Sequence, residues 1–280
     1  MTFELLISAV NKDPEELART MRIASDALIV VQDPSHEARE EEAALQPCGD
    51  ASPVSEEAPR KDPGRSRIRC FRQKGRGVGR SRNAALSHAQ ADICLFGDED
   101  IIYDDGYEER ILSAFASHPE ASVITFNVRV DERRRTYWNG KPHRIRWYNY
   151  GRYPAYAIAV RRRDILKNNI RYSTLFGGGA RYSNGEDSLF LHDCLKAGLV
   201  LFADTAVLGE ETYRESTWFR GYTDKFFYDR GVLYHFLYGK AAAIFGLRFL
   251  LANRKEMLKE CSLSRAYALL RKGIGKGSEL

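Results

Sequence analysis

The first half of the chain alternates short, continuously apolar runs with segments of helical character. Phe3–Ser8 (FELLIS) reads as a buried strand. Asp13-Pro14-Glu15-Glu16 then supplies an N-cap, a proline at the first helical position and acids in the first turn, which predicts a helix from Pro14 to about Ala24. Ala27–Val31 (ALIVV) is a second strand, Arg67–Phe71 a third, Arg80–Ala89 a helix and Asp92–Phe96 (DICLF) a fourth strand. Asp104 or Asp105 is expected to cap a helix that stops near Ser117, before His118-Pro119. Ala121–Val130 (ASVITFNVRV) is a fifth strand. Continuous apolar strands separated by helices indicate an α/β chain built on a parallel sheet.

Between the second and third strands lies His36–Asp62, with eight acids against three bases and almost no large apolar residue. That composition predicts a solvated, flexible insertion, with room for a short helix at Glu37–Leu45. After Val130 the chain turns basic and aromatic (DERRRTYWNGKPHRIRWYNYGRYP), and Asn139-Gly140 is a hairpin-turn signal. Pro154–Val160 is expected as a strand and Asp164–Asn168 as a short helix. Ser183–Gly198 is expected as a helix, with Asn184 or Gly185 near its start and Gly198 at C′. Beyond Thr217 the chain is mostly helical and aromatic-rich.

Composition narrows the class. With 280 residues, 44% hydrophobic, 14 Phe and 15 Tyr, the chain can fill a core, so global disorder is excluded. The five cysteines form no C-x-x-C pair, which argues against a disulfide framework or a zinc site and suits a reducing cytoplasm. The N-terminus shows neither a basic n-region nor a cleavage site. The longest apolar run, Ala241–Leu251, contains Arg248 and falls short of the roughly 20 residues that span a bilayer, so no transmembrane segment is expected. Charge is uneven: 220–280 carry twelve Lys/Arg against five Asp/Glu, within a total net charge of +5. A basic tail on a near-neutral body suits an anionic membrane surface or a phosphorylated substrate, or is simply a solvated helix face. The Tyr, Trp and Arg residues of 133–153 could stack on a single strand, but no binding-module pattern accompanies them and no nucleic-acid partner is expected.

Three segments carry chemistry. Asp98-Glu99-Asp100 follows the DICLF strand, where ligands of open α/β sheets bind. Three adjacent acids repel one another unless a cation balances them, and their hard oxygens suit Mg²⁺ or Mn²⁺; an acidic turn capping the next helix is the plain alternative. Lys74–Asn83 (KGRGVGRSRN) joins glycines and cations to a helix N-terminus, the ingredients of an anion site, yet it is neither a dinucleotide fingerprint nor a P-loop. Gly177-Gly178-Gly179, followed by Asn184-Gly185-Glu186-Asp187, sets two carboxylates at a helix start. These suit a general base, or acids that merely complement the helix dipole.

In that order the segments resemble family-2 glycosyltransferases. The run GRGVGRSRNAALSHAQADICLFGDED is similar to the G-x-S-x-x-R-N…(A/G)-D-I-x-L-F-x-D-D-D core of that family, and NGEDSLFLHDCLKAG to its E-D segment. STWFRGYTDKFFYDRG resembles the segment that follows in a bacterial, non-processive branch. The resemblance covers roughly residues 3–33 and 67–235 and implies a GT-A fold, a Rossmann-like mixed sheet flanked by helices. Residues 1–219 would form the catalytic domain, with 1–130 binding a nucleotide diphosphate sugar and 131–219 shaping the acceptor side. Residues 220–280 would be a basic helical C-terminal extension.

The resemblance also implies roles. Asp98 faces the ribose and shares a divalent metal, Mn²⁺ or Mg²⁺, with Asp100; Glu99 stands where the family has a middle Asp. Val10, Asn11, Asp33, Arg82 and Asn83 fall on the donor side. Asp187 matches the catalytic base, with Glu186, Gly178, Gly179 and Trp218 on the acceptor side. The histidine that many relatives add as a metal ligand is absent from LGEETYREST, which leaves Glu210, Glu211, Tyr213 or no residue in its place. The Q/R-x-x-R-W element of processive relatives is absent too, so single-sugar addition to a glycan or lipid-linked acceptor is expected. One base without a protein nucleophile implies inversion. A cytoplasmic enzyme, peripheral at the inner membrane face, serving surface polysaccharide or glycoconjugate synthesis, is the resulting expectation. A nucleotidyltransferase or a non-catalytic nucleotide- or carbohydrate-binding module are the alternatives.

Overall fold

The computed structural model describes residues 1–33, 42–44, 66–132, 135–212, 221–259 and 261–280. In chain order these form β1 (Phe3–Val10), α1 (Pro14–Thr20), β2 (Ala27–Asp33), β3 (Glu42–Ala44), β4 (Ile68–Lys74), α2 (Val78–His88) and β5 (Ile93–Asp98). Next come β6 (Ile101–Tyr103), α3 (Tyr107–Ser117), β7 (Val123–Arg129), β8 (His143–Ile145), β9 (Ile158–Arg161), α4 (Arg162–Lys167), α5 (Glu186–Lys196) and β10 (Leu201–Glu211). The C-terminal part is helical: α6 (Asp224–Tyr238), α7 (Ala242–Ala252), α8 (Arg254–Met257) and α9 (Leu263–Gly277).

One mixed sheet runs β3-β4-β2-β1-β5-β9-β7-β10-β6, with β8 beside β10. The strands β4, β2, β1 and β5 are parallel, so their carboxyl ends share one edge. The antiparallel β9 is inserted between β5 and β7. Continuous apolar sequence in β1 and β2 follows from burial on both faces. Alternate residues feed two cores: Leu6, Leu28 and Val30 pack with α2 and α5, while Leu5, Ile7 and Ile29 pack with α1 and α3.

Several local expectations change. The helix at Pro14 ends at Thr20, because Arg22 adopts φ +54° and Ile23 N–H bonds Ala18 O at 3.0 Å, closing the helix toward β2. Within the expected 37–45 helix, Glu42–Ala44 is instead a strand that pairs with the outer edge of β4; the rest of that segment lies outside the described residues. Neither Asp104 nor Asp105 caps α3: Gly106, at φ +73°, precedes it, and Asp104 holds Arg129 at 2.6 and 2.8 Å. The Asn139-Gly140 signal is overridden. Asn139 is buried, its N–H bonds Asn127 Oδ1 at 2.8 Å and its amide bonds Asp204 O at 3.0 Å, so β8 pairs with β10 rather than with β7. A single 3-10 turn, Ala155–Ala157, replaces the first half of the strand expected at Pro154. Helix α5 starts at Glu186 rather than Ser183, and Gly198, at φ +78°, follows its C-cap as expected.

Residues on the two sides of 219/220 pack together. Phe176, Tyr182 and Leu189 share one cluster with Val232, Leu233, Tyr234 and Ala242. Helix α9 lies against α6 at backbone distance: a Cβ on Gly273 would stand 2.0 Å from Tyr228 O. Gly273→Val is therefore expected to destabilise the protein by about 1–3 kcal/mol, read as a lowered midpoint in thermal or urea unfolding.

Candidate active site

Val10, Asp33 and Asp98 end β1, β2 and β5, three parallel neighbours, at the edge where α/β sheets bind ligands. The acidic turn Asp98–Asp100 connects β5 to β6. Glu99 points back and accepts the Val10 N–H at 2.9 Å. The Asp100 carbonyl accepts Thr212 N–H at 2.7 Å and its hydroxyl at 2.9 Å, tying the turn to the end of β10. Desolvation first, then Asp98 and Glu211, push the Asp100 carboxyl up to about 7. Glu211 reaches this position because it pairs with Ile101 across β10 and β6. Glu210 is within 3.7 Å of Arg129 instead.

Arg82, on α2, is the hub. Its Nη2 donates to Asp98 Oδ1 at 2.9 Å, and its Nη1 to Asp187 Oδ1 at 2.9 Å and Glu186 Oε1 at 3.4 Å. The residue is 4% exposed, and its guanidinium lies 5.2 Å from the centre of the Tyr172 ring. Burial alone would weaken its hold on a proton, but Asp187 and Asp98 outweigh that and raise it well above the ordinary arginine value. Asp187 Oδ2 accepts the Ala155 N–H at 3.1 Å. Burial lifts the Asp187 carboxyl well above the usual carboxylate range, against the pull of Arg82, and Glu186 and Asp98 add to the rise.

Two loops meet beneath this hub. Gln32 accepts the Gly77 N–H at 2.7 Å and donates to Ser8 Oγ at 3.1 Å, and Ser8 donates to Ser81 Oγ at 2.7 Å. That buried chain fixes the basic glycine loop to β1 and β2 and sets the start of α2. The Gly178 carbonyl accepts the Val78 N–H at 2.9 Å. Gly177, at φ +99°, has Glu186 and Val78 so close that a Cβ would lie 2.7 Å from each. Asn83 spends its amide on the Tyr172 backbone, donating to its carbonyl at 2.9 Å and accepting its N–H at 2.8 Å.

The start of α5 is held from the C-terminal helices. Buried Asp229 of α6 accepts the Ser183 N–H at 3.0 Å and its hydroxyl at 2.9 Å. Gly185, at φ +118°, packs on Leu233, which a Cβ would meet at 2.5 Å.

The sequence-derived residues thus fall into groups. Arg82, Asp98, Glu186 and Asp187 form one bonded cluster, with Asp100 adjoining Asp98. Val10 and Asn11 lie at the end of β1; Asn11 takes φ +50° and its N–H bonds Gln32 O at 3.2 Å. The Asp33 carbonyl accepts the Gly75 N–H at 3.1 Å. Asn83 faces Tyr172, and Gly178 and Gly179 lie against 77–78. Trp218 and Tyr213 lie outside the described residues. Sequence reasoning missed Ser8, Gln32, Ser81 and Asp229; polar residues inside otherwise apolar strands or helices were the available signal. Among the described residues, no three His, Cys, Asp or Glu side chains form a complete metal-ligand set.

Arg82→Met leaves three carboxylates without their cation and is expected to cost about 3–5 kcal/mol in denaturant unfolding. Asp100 binds a proton in the folded state up to about pH 7 that the unfolded chain releases near its ordinary value, so its contribution to stability falls as pH rises across that window. Asp100→Asn should therefore raise the thermal midpoint of the metal-free protein at pH 8, the gain shrinking as pH falls toward that ordinary value.

Residues 7–177 match the family model described as glycosyl transferase family 2. No curated protein matches the chain. Among solved structures, residues 1–349 of S. aureus TarS in complex with UDP-GlcNAc align with TM-score 0.57 at 13% identity, covering 91% of this chain and 73% of that one. The mannosyltransferase PcManGT from Pyrobaculum calidifontis, in complex with GDP-Man and Mn²⁺, aligns with TM-score 0.50 at 13% identity, covering 99% and 75%. The likeness in each case is one of fold, a mixed α/β sheet with flanking helices. With its family match extending over more than half of its length, the chain belongs to glycosyl transferase family 2 and is a glycosyltransferase of GT-A fold.

Proposed function

We propose that this glycosyltransferase moves a sugar from a nucleotide diphosphate to an acceptor hydroxyl by one inverting displacement, with Asp187 as the base. The observation that carries the reading is the Arg82 guanidinium, which joins Asp98 at the strand edge to Asp187 at the head of α5. Val10, Asn11, Asp33 and Asp98 would line the donor side, with Asn83 shaping it through Tyr172. Glu186, Gly178, Gly179 and Trp218 would line the acceptor side.

The base must accept a proton from the acceptor hydroxyl as that oxygen attacks the anomeric carbon. Asp187 suits the task because burial raises its proton affinity, while Arg82 and the Ala155 N–H fix its orientation. The leaving diphosphate carries negative charge away from the sugar, and the cations of the Lys74–Arg80 loop would offset it. Asp187 as the one assigned base, with no residue assigned as nucleophile, corresponds to direct displacement rather than a covalent sugar intermediate.

The donor set fits a hard divalent ion. Asp98 and Asp100 offer carboxylate oxygens, and Glu211 adds negative charge beside Asp100. Asp98 and Asp100 would hold Mn²⁺ or Mg²⁺, with Glu211 in place of the family's histidine. The ion, when bound, neutralises charge that develops on the leaving diphosphate. A glycan or lipid-linked acceptor, surface polysaccharide or glycoconjugate synthesis, and a cytoplasmic enzyme meeting the inner membrane face through 220–280 complete the proposal.

The test is thermal-shift titration with nucleotide diphosphates and their sugars in Mn²⁺, Mg²⁺ or chelator. One nucleotide should stabilise the protein in a metal-dependent manner, lost in Asp100→Ala and kept in Asp187→Asn. Turnover of that donor in Asp187→Asn should fall by about 10²–10⁴-fold. Absence of any nucleotide-dependent shift would overturn the reading. Asp229→Asn loosens Ser183, and it should lower kcat while leaving the donor shift intact.

A further inference from the structure

Helix α7 is apolar on both of its faces. Ala242, Gly246 and Leu250 are buried, and a Cβ on Gly246 would meet Leu270 of α9 at 2.4 Å. The opposite side carries Ile244, Leu247 and Leu251, spaced i, i+3 and i+7, at 72%, 37% and 42% exposure. Phe245, 38% exposed, extends the patch. Surface helices ordinarily place charge on the outward side, so an outward apolar stripe marks an interaction surface.

The helical stretch Asp224–Ala252 is, by length and composition, apolar enough to cross a membrane, against the expectation of no such segment. Its geometry is not that of a span. Gly239, at φ +51°, turns the chain between α6 and α7. The rings of Tyr238 and Phe245 stack at 4.2 Å, and those of Tyr234 and Phe249 meet at 5.7 Å. In one straight helix Tyr234 and Phe249 would lie about 22 Å apart at ~1.5 Å per residue. The two arms fold back on each other, and neither reaches the roughly 20 residues that cross a hydrocarbon core.

Charge decides what the stripe meets. Lys240 precedes α7, Arg248 lies within its outer face, and Arg254, Lys255 and Lys259 follow it, all exposed. Between Phe236 and Lys259 the sole acid is Glu256. Apolar side chains flanked by long cationic ones suit the boundary between acyl chains and anionic headgroups, where Lys and Arg reach phosphates while Ile, Leu and Phe enter the hydrocarbon.

We propose that the outer face of α7 docks the protein onto an anionic lipid bilayer. The proposal rests on the membrane contact read above for 220–280 and assigns it to named residues. Because α6 packs on α7 and also holds Ser183 and Gly185, the docking face is joined to the head of α5 through one helix.

Flotation of the full chain with vesicles tests this. The protein should float with phosphatidylglycerol–phosphatidylcholine vesicles at low salt and less so as salt screens the cations. It should float little with phosphatidylcholine alone. Ile244→Ser with Leu251→Ser should weaken binding at least about tenfold, since each removed side chain forfeits apolar burial. Arg248→Glu should weaken binding to the anionic vesicles, and circular dichroism should show both variants folded. No flotation at low salt, or unchanged flotation of both variants, overturns the proposal. So does a dimer in light scattering that the Ile244→Ser/Leu251→Ser variant dissolves, because the stripe would then be covered by a second copy. Nucleotide thermal shifts, measured without lipid, report the donor reading separately. A protein that shifts but does not float loses only the docking face, and one that floats but does not shift loses only the donor site.

Discussion

A single buried guanidinium governs the architecture of the active site. Arg82 cannot shed its charge, and its burial is tolerable only if carboxylates stay within hydrogen-bond reach. Asp98 arrives from the end of β5, Glu186 and Asp187 from the head of α5. Neither side can move far without stranding the charge. The requirement also runs the other way, because three acids in so small a space would repel one another without a cation between them. The distance between Asp98 and Asp187 is therefore fixed by a charge balance rather than by backbone connectivity.

The surroundings serve that balance. Gln32, Ser8 and Ser81 hold the start of α2, and with it the position of Arg82, through side chains that see almost no solvent. From the opposite direction, Asp229 and Leu233 hold the turn that precedes Glu186. The C-terminal helices are thus built into the support of the Arg82 cluster. Their glycine-mediated packing of α9 on α6 gives that support its stiffness.

Much of this was legible along the chain. β1, β2, β5 and β7 appear as mostly apolar runs because both of their faces are covered, and the order of the D-E-D, R-N and E-D segments located the acids and the arginine. What was not legible depends on partners distant in sequence. The bridge from Arg82 to Asp187 spans 105 positions and leaves no periodic trace. Asn139-Gly140 carries the local chemistry of a tight turn, yet Asn127 and the Asp204 carbonyl offer Asn139 better hydrogen bonds inside the fold. β10 mixes buried and half-exposed positions because it borders β7, β8 and β6 in turn, which hides its strand character. Asn83 could be placed near the site by motif, but its pairing with the Tyr172 backbone belongs to the three-dimensional arrangement alone.

Glu99 gives the acidic turn a mechanical property. Its carboxylate bonds the Val10 N–H, clamping the tip of β1 to the tip of β5. An aspartate in that place would be shorter by one carbon–carbon bond, about 1.5 Å, and could not reach the same amide without pulling the two strand ends together. Side-chain length at the middle position thus decides whether the acidic turn is tied to β1 beyond the last ladder pair, Ser8 and Asp98. In this protein the D-E-D triplet and the end of β1 form one bonded unit, and an aspartate at 99 would leave the Val10 N–H without that partner while Asp98 and Asp100 kept their places in the chain.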